Sequence, residues 1–143
     1  MEQQGKTLLE LVVVLSVIGI LTALAGPNLL ALQSQAQLKT VTEEIASELR
    51  LARQLAATHR DRVRVVFDVE RKTLETRFVN GATTHHQYHY GHKGVVVEEP
   101  SAGPDIVFHP SGRSATATTI RLHNTEGKVR QMTVGITGRV QVQ

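Results

Sequence analysis

The chain has 143 residues, enough for one membrane segment and one compact domain but short for a second domain of ordinary size. It contains no cysteine, which excludes disulfide frameworks, thiol catalysis and cysteine-rich zinc sites. A formal charge of +3 favours acidic partners only weakly, and with 3% aromatics and no tryptophan there is little from which to build stacking platforms for single-stranded nucleic acid or sugar rings.

The chain opens Met1-Glu2-Gln3-Gln4-Gly5-Lys6-Thr7-Leu8-Leu9-Glu10-Leu11 and runs into an uncharged, mostly apolar stretch that lasts to Ala25. With Leu8 and Leu9 before it and Leu29, Leu30 and Leu32 after, the stretch reaches the roughly 20 residues that a membrane helix needs. Glu10 lies inside it, where an ionisable side chain costs about 2.5–3.5 kcal/mol near the bilayer centre and less toward the interface. Such a residue normally has a partner. Lys6, one helical turn earlier, is one candidate.

Gly5, then Lys6-Thr7-Leu8-Leu9-Glu10-Leu11, then an apolar run, resembles the type IV prepilin and pseudopilin signature. The resemblance implies that a membrane prepilin peptidase cuts between Gly5 and Lys6, that the new amino group is methylated, and that Glu10 is the filament-assembly residue. Its carboxylate would meet the terminal amine of a neighbouring subunit in the hydrocarbon, where neither charge is tolerated alone and only correct register pairs both. Lys6 stands where the family usually has Phe or Met, and the leader carries an acid where leaders are usually basic. A conventional signal peptide is the alternative, since Ala23-Leu24-Ala25 has the small-x-small form that signal peptidase cuts before Gly26.

Pro27 removes the backbone donor to Ala23 beside Gly26, which predicts a kink or local melting, and Gly19 is a second weak point. In filaments of the resembling family the segment between such positions loses helicity; ordinary membrane-helix glycine and proline is the alternative. From Leu38 the apolar residues fall at Leu38, Val41, Ile45, Leu49, Ala52 and Ala56, one face of an amphipathic helix, with Lys39, Glu43, Glu44, Glu48, Arg50 and Arg53 on its other sides. One long helix from about Thr7 to Thr58 follows. The predicted divisions are a leader at 1–5, a transmembrane half of the helix at 6–27, an amphipathic half at 28–58 and a β-rich head at 59–143.

Past His59 the period changes to two. Val63, Val65, Phe67 and Val69 mark a half-buried strand, Glu70-Arg71-Lys72 a turn, and Leu74, Thr76 and Phe78 a return strand, a hairpin laid against the helix and ended by Asn80-Gly81. His85-His86-Gln87-Tyr88-His89-Tyr90-Gly91-His92 holds four of the seven histidines. Its flanking glycines, threonines and tyrosines predict a loop, and with no acidic ligand inside it no metal site is expected. Val95–Val97 and Asp105–His109 read as strands, Pro110-Ser111-Gly112 as a turn, and Thr118–Asn124 with Lys128–Thr137 as a second hairpin about Glu126-Gly127. Gly138-Arg139-Val140-Gln141-Val142 completes one antiparallel sheet, giving an α+β, pilin-like fold with a long N-terminal helix packed on a C-terminal β-sheet head.

Ile106-Val107-Phe108-His109-Pro110-Ser111-Gly112, followed by Thr137-Gly138-Arg139-Val140, is similar to the minor pseudopilin family that includes GspH and FimT. The chain contains no Gly-x-Ser-x-Gly, no phosphate-cradling glycine loop and no His-Glu-x-x-His, so an enzyme is not expected, nor is a cofactor. Arg113, Arg121, Lys128, Arg130 and Arg139 gather in the last strands and are candidate DNA contacts, as FimT-like members are linked to DNA uptake. Gln141 stands where those members carry a second basic residue, and a solvated sheet face explains the same charges.

The resemblance implies a minor pseudopilin of a type II secretion system that initiates or caps the pseudopilus, with a DNA-binding minor type IV pilin as the alternative. Its partners would be other minor and major pseudopilins, the prepilin peptidase and the inner membrane. The head would lie in the periplasm, first on a single-pass anchor and then in the filament.

Overall fold

The structure is a computed structural model that describes residues 3–81 and 84–143, without the side chains of residues 3–6 and 25–30. The chain divides into two compact units, Met1–Gln33 and Ser34–Gln143. Helix α1 spans Gln3–His59, a few residues beyond the expected Thr7 to Thr58 at its start and one at its end. It stops where Arg60 takes a left-handed conformation, φ 52°, a role more often given to glycine. The Asp61 carboxylate caps the exit by accepting from the Arg62 N–H at 2.7 Å and from Asn80 Nδ2 at 2.8 Å.

Within the second unit the helix face expected from the three- and four-residue spacing is the buried one: Leu38, Val41, Ile45, Leu49, Ala52 and Ala56 are at most 3% exposed. Thr42 and Ala46 widen it, and Thr42 spends its hydroxyl on the Leu38 carbonyl at 2.6 Å, so burial leaves no orphan donor.

Eight strands follow: β1 (Val63–Asp68), β2 (Thr73–Phe78), β3 (Thr84–His89), β4 (Val95–Val97), β5 (Asp105–Phe108), β6 (Thr118–Asn124), β7 (Val129–Val134) and β8 (Val140–Val142). The expected single sheet is two four-stranded sheets, ordered β3-β2-β1-β5 and β4-β6-β7-β8, with antiparallel pairing throughout. Alternation in a strand reports which side is buried but not which strand lies alongside. Here β5 takes the second edge of β1 and leaves β6, β7 and β8 to pair with β4.

Both expected hairpins are present. The β1–β2 turn closes with Lys72 left-handed at φ 54° and with Asp68 Oδ1 accepting from the Arg71 N–H at 2.8 Å. The alternating residues Val63, Val65, Phe67, Leu74, Ile106, Phe108, Ile120, Leu122, Met132 and Val134 join the helix face in one apolar cluster.

The histidine-rich stretch is not a loop. It forms β3, paired along β2 with His86 opposite Thr76 and His89 opposite Thr73, and then the short 3-10 helix Gly91–Lys93. Both faces of β3 are solvated apart from Tyr88, so no apolar alternation announces a strand. The three-residue step from His86 to His89 turns these two side chains to opposite faces of the strand. Among the described residues no cluster of three or more His, Asp or Glu could hold a metal ion.

Candidate functional site

Two features of the chain carry its candidate functional residues, and the first is the surface of the N-terminal unit. Thr7–Leu24 is an 18-residue helical segment, long and apolar enough to cross a membrane, and none of it is buried. Its large side chains are exposed all round, from Val14 at 48% to Leu24 at 73%. The hydroxyls within it fold back onto the helix, Ser16 Oγ donating to the Val12 carbonyl at 2.7 Å and Thr22 Oγ1 to the Ile18 carbonyl at 2.8 Å. That leaves Glu10 as the ionisable side chain of an otherwise apolar cylinder, exposed on its surface. Gly19 lies in open space. Gly5, Lys6 and Pro27 lie within α1, and their side chains are outside the described residues.

The second feature is the polar fastening of the second unit's helix to its two sheets. Glu44 Oε2 accepts from the Tyr88 hydroxyl on β3 and from Lys93 Nζ at 2.5 Å, while the Lys93 ammonium sits 5.5 Å from the centre of the Tyr88 ring. His86 Nδ1 lies 3.0 Å from Glu48 Oε2, an ion pair when the imidazole is protonated. On the other sheet Asn124 Nδ2 donates to Ser34 Oγ at 2.9 Å, and Asn124 Oδ1 accepts the Glu126 and Lys128 N–H groups that close the β6–β7 turn. Sequence periodicity places Glu44, Glu48 and Arg53 on solvated sides of the helix; each is half-covered or bonded instead. Long side chains at the flank of an apolar stripe reach back to the sheet.

Burial and these contacts shift three groups. Burial works to raise the Glu44 carboxyl, but hydrogen bonds from Lys93 and Tyr88 outweigh it and hold it below its ordinary 4.5. The Tyr88 phenol is raised by burial and by the Glu44 carboxylate that accepts its proton. Burial, helped by the charge of Asp68, pushes Tyr90 up to about 12. Raised phenols contribute stability that is present below their unfolded value of 10.0 and is lost as pH climbs through the folded values. Tyr88 and Tyr90 are the two tyrosines of the chain, so tyrosinate absorbance reports them alone. It is expected to rise only well above pH 10, together with loss of the near-ultraviolet circular dichroism signal; a titration centred on 10 in folded protein would contradict the Glu44–Tyr88 contact.

The two short C-terminal motifs meet in space. Gly112 and Gly138 both have φ +75°, and a Cβ on Gly138 would overlap the Gly112 carbonyl oxygen. Arg53 of α1 donates through Nε to that same oxygen at 2.9 Å. The Ser114 N–H, two residues on, bonds the Ile136 carbonyl at 3.0 Å. The glycines are thus the closest-approach points of a three-way junction between α1, the turn after β5 and the turn before β8.

The five candidate DNA contacts do not form one face. Arg121 points outward between buried Ile120 and Leu122 and lines a hollow of about 140 Å³ with Glu98 and Glu99. Arg130 pairs across β6–β7 with Leu122 and therefore lies on the opposite, inner face, where with Lys39 and Lys128 it edges a cleft of about 300 Å³. Arg113 and Arg139 are exposed in the turns beside Gly112 and Gly138.

Residues 41–138 match the sequence profile of the family described as type II transport protein GspH, more than half of the chain. A search of curated proteins by sequence gives no match. The fold is similar to that of the type IV minor pilin FimU of Pseudomonas aeruginosa, with a TM-score of 0.65 and 18% identity over 78% of this chain and 92% of that one. It is also similar to the minor pseudopilin EpsH of the type 2 secretion system of Vibrio cholerae, with a TM-score of 0.60 and 15% identity over 75% of this chain and 96% of that one. The profile match, the pilin-like α+β fold and the apolar N-terminal helix agree: the chain belongs to the GspH family of minor pseudopilins and minor pilins.

Proposed function

We propose that the protein is a minor pseudopilin of a type II secretion system, one of the subunits that initiate or cap the periplasmic pseudopilus, with a structural and not a catalytic task. The observation that carries this reading is the bare apolar segment Thr7–Leu24 with Glu10 near its start, on a chain whose head matches the GspH profile. An 18-residue apolar surface is unstable in water and stable in a bilayer or a bundle of like helices. In this account prepilin peptidase cuts after Gly5, Lys6 is methylated, and Glu10 selects register by pairing with a neighbour's terminal amine. The subunit waits as a single-pass inner-membrane protein with its head in the periplasm, then joins major and minor pseudopilins through the helix.

The alternative, a FimT-like pilin that binds DNA for uptake, has less support because Arg121 and Arg130 lie on opposite faces of their hairpin and Gln141 follows Val140. The intact mass and N-terminal sequence of the protein from native membranes test the proposal. A chain that starts at methylated Lys6 is the expected result. A start at Gly26 would make it a freely periplasmic sheet protein, and an uncut Met1 an ordinary signal anchor, either of which overturns the reading.

A further inference from the structure

The outward face of the β1–β2 hairpin carries an arrangement that filament assembly does not account for. The register sets Arg64 directly opposite Arg77, and the inward residues on either side, Val63, Val65 and Thr76, are buried. Residues directly opposite in an antiparallel pair have Cβ atoms about 4.5–5.5 Å apart, and like charges so placed destabilise the sheet. An anion between the two guanidiniums would relieve that repulsion. Asp105 of β5 reaches Arg64 Nη1 at 3.2 Å, which satisfies one edge of one arginine. Arg64 Nε is buried with no acceptor, and among the described residues Arg77 has no acidic partner. A cavity of about 260 Å³ lies here, lined by Arg64, Arg77, Phe78, Val79 and Gly81.

We propose that Arg64 and Arg77 form a binding site for a single carboxylate, presented by an acidic side chain of a partner protein. Three observations select that ligand. The cavity is smaller than most small-molecule pockets and suits one functional group. Among the described residues Asp105 is the one carboxylate that pairs with either guanidinium, so the cavity lining keeps cationic donors for an anion to meet. Guanidinium forks bind planar carboxylates in two-point fashion, and the Arg64 side chain, 39% exposed and paired with Asp105 through Nη1, leaves its Nε without an acceptor. A nucleic-acid backbone would need a continuous basic track, and this face instead sets Asp68, Glu75 and Asp105 beside the arginines, with Glu75 held by Gln87 Nε2 at 3.1 Å.

The test is an NMR titration of the full chain in detergent micelles, following the arginine Nε–H signals, with sodium acetate and separately inorganic phosphate at ionic strength matched by chloride. Acetate is expected to shift the Arg64 and Arg77 signals saturably with one shared affinity, phosphate more weakly. Arg77→Gln should weaken acetate binding about tenfold, the loss of one charge-assisted hydrogen bond. Asp105→Asn, which leaves both arginines in place, should tighten it. Absence of saturation, phosphate binding as tight as acetate, or full acetate affinity in Arg77→Gln would each overturn the proposal.

Discussion

Gly138→Ala is expected to destabilise the head by at least about 3 kcal/mol, combining the cost of a left-handed alanine with that of an overpacked contact. The contact is the decisive part. Its Cβ would overlap the Gly112 carbonyl oxygen and sit 3.1 Å from Arg53 Nε. The obstacle is largely backbone, in a turn tied by the Ser114 to Ile136 and Gly138 to Gly135 hydrogen bonds, so relief requires the junction to open. Gly127→Ala is the matched control, because Gly127 has nearly the same φ, +76°, with nothing within 4 Å. It should lose only the conformational part, about 1–2 kcal/mol. Against a total stability of about 5–15 kcal/mol the first change is severe and the second tolerable. Thermal unfolding followed by circular dichroism separates them: equal losses in the two variants would show that the glycine–glycine approach does not limit the fold.

On the proposed function, Glu10→Ala leaves membrane insertion and removal of the leader intact but prevents incorporation into the filament complex. The apolar segment becomes more lipid-compatible, so insertion does not suffer. What is lost is the counter-charge for a neighbour's terminal amine, and an ionised group left alone in the bilayer core costs about 2.5–3.5 kcal/mol on insertion scales. That energy corresponds to a fall on the order of a hundredfold in association with sister subunits, measured by quantitative co-purification from solubilised membranes. Mature variant protein that co-purifies at the wild-type level would sink the assigned role of Glu10 while leaving the membership in the family untouched.

Elements whose signal is local are legible from residue order alone. The helix face from Leu38 to Ala56 follows from the rotation of one residue to the next, and every residue assigned to it is buried. The alternation of Val63, Val65 and Phe67, the Glu70-Arg71-Lys72 turn and the strand Thr118–Asn124 are equally plain, because each contrasts an apolar side with a wet one, whereas Val69, expected in the first strand, falls in the turn after it and is exposed. The apolar N-terminal segment and the place of Glu10 within it also need nothing beyond the order of residues.

What the sequence leaves open depends on approach between distant parts of the chain. Strand β3 has two solvated faces and exists because β2 offers it an edge, so its histidines read as a loop. The division into two sheets turns on β5 pairing with β1, with Val63 set opposite Phe108, and no local periodicity encodes so distant a partner. Arg121 and Arg130 read as one basic face in the sequence, whereas the register puts Leu122 opposite Arg130. Gly112, Gly138 and Arg53 carry no visible relation there, since a glycine's need for close approach is a property of what arrives beside it. Residue order by itself thus determined the apolar N-terminal segment, the helix face and most strands, the last two through contrasts repeated every two or three to four residues. Tertiary structure alone decided which strands pair, which charges share a face and where two glycines must touch, because those outcomes are set by contacts that the chain makes only after it has folded.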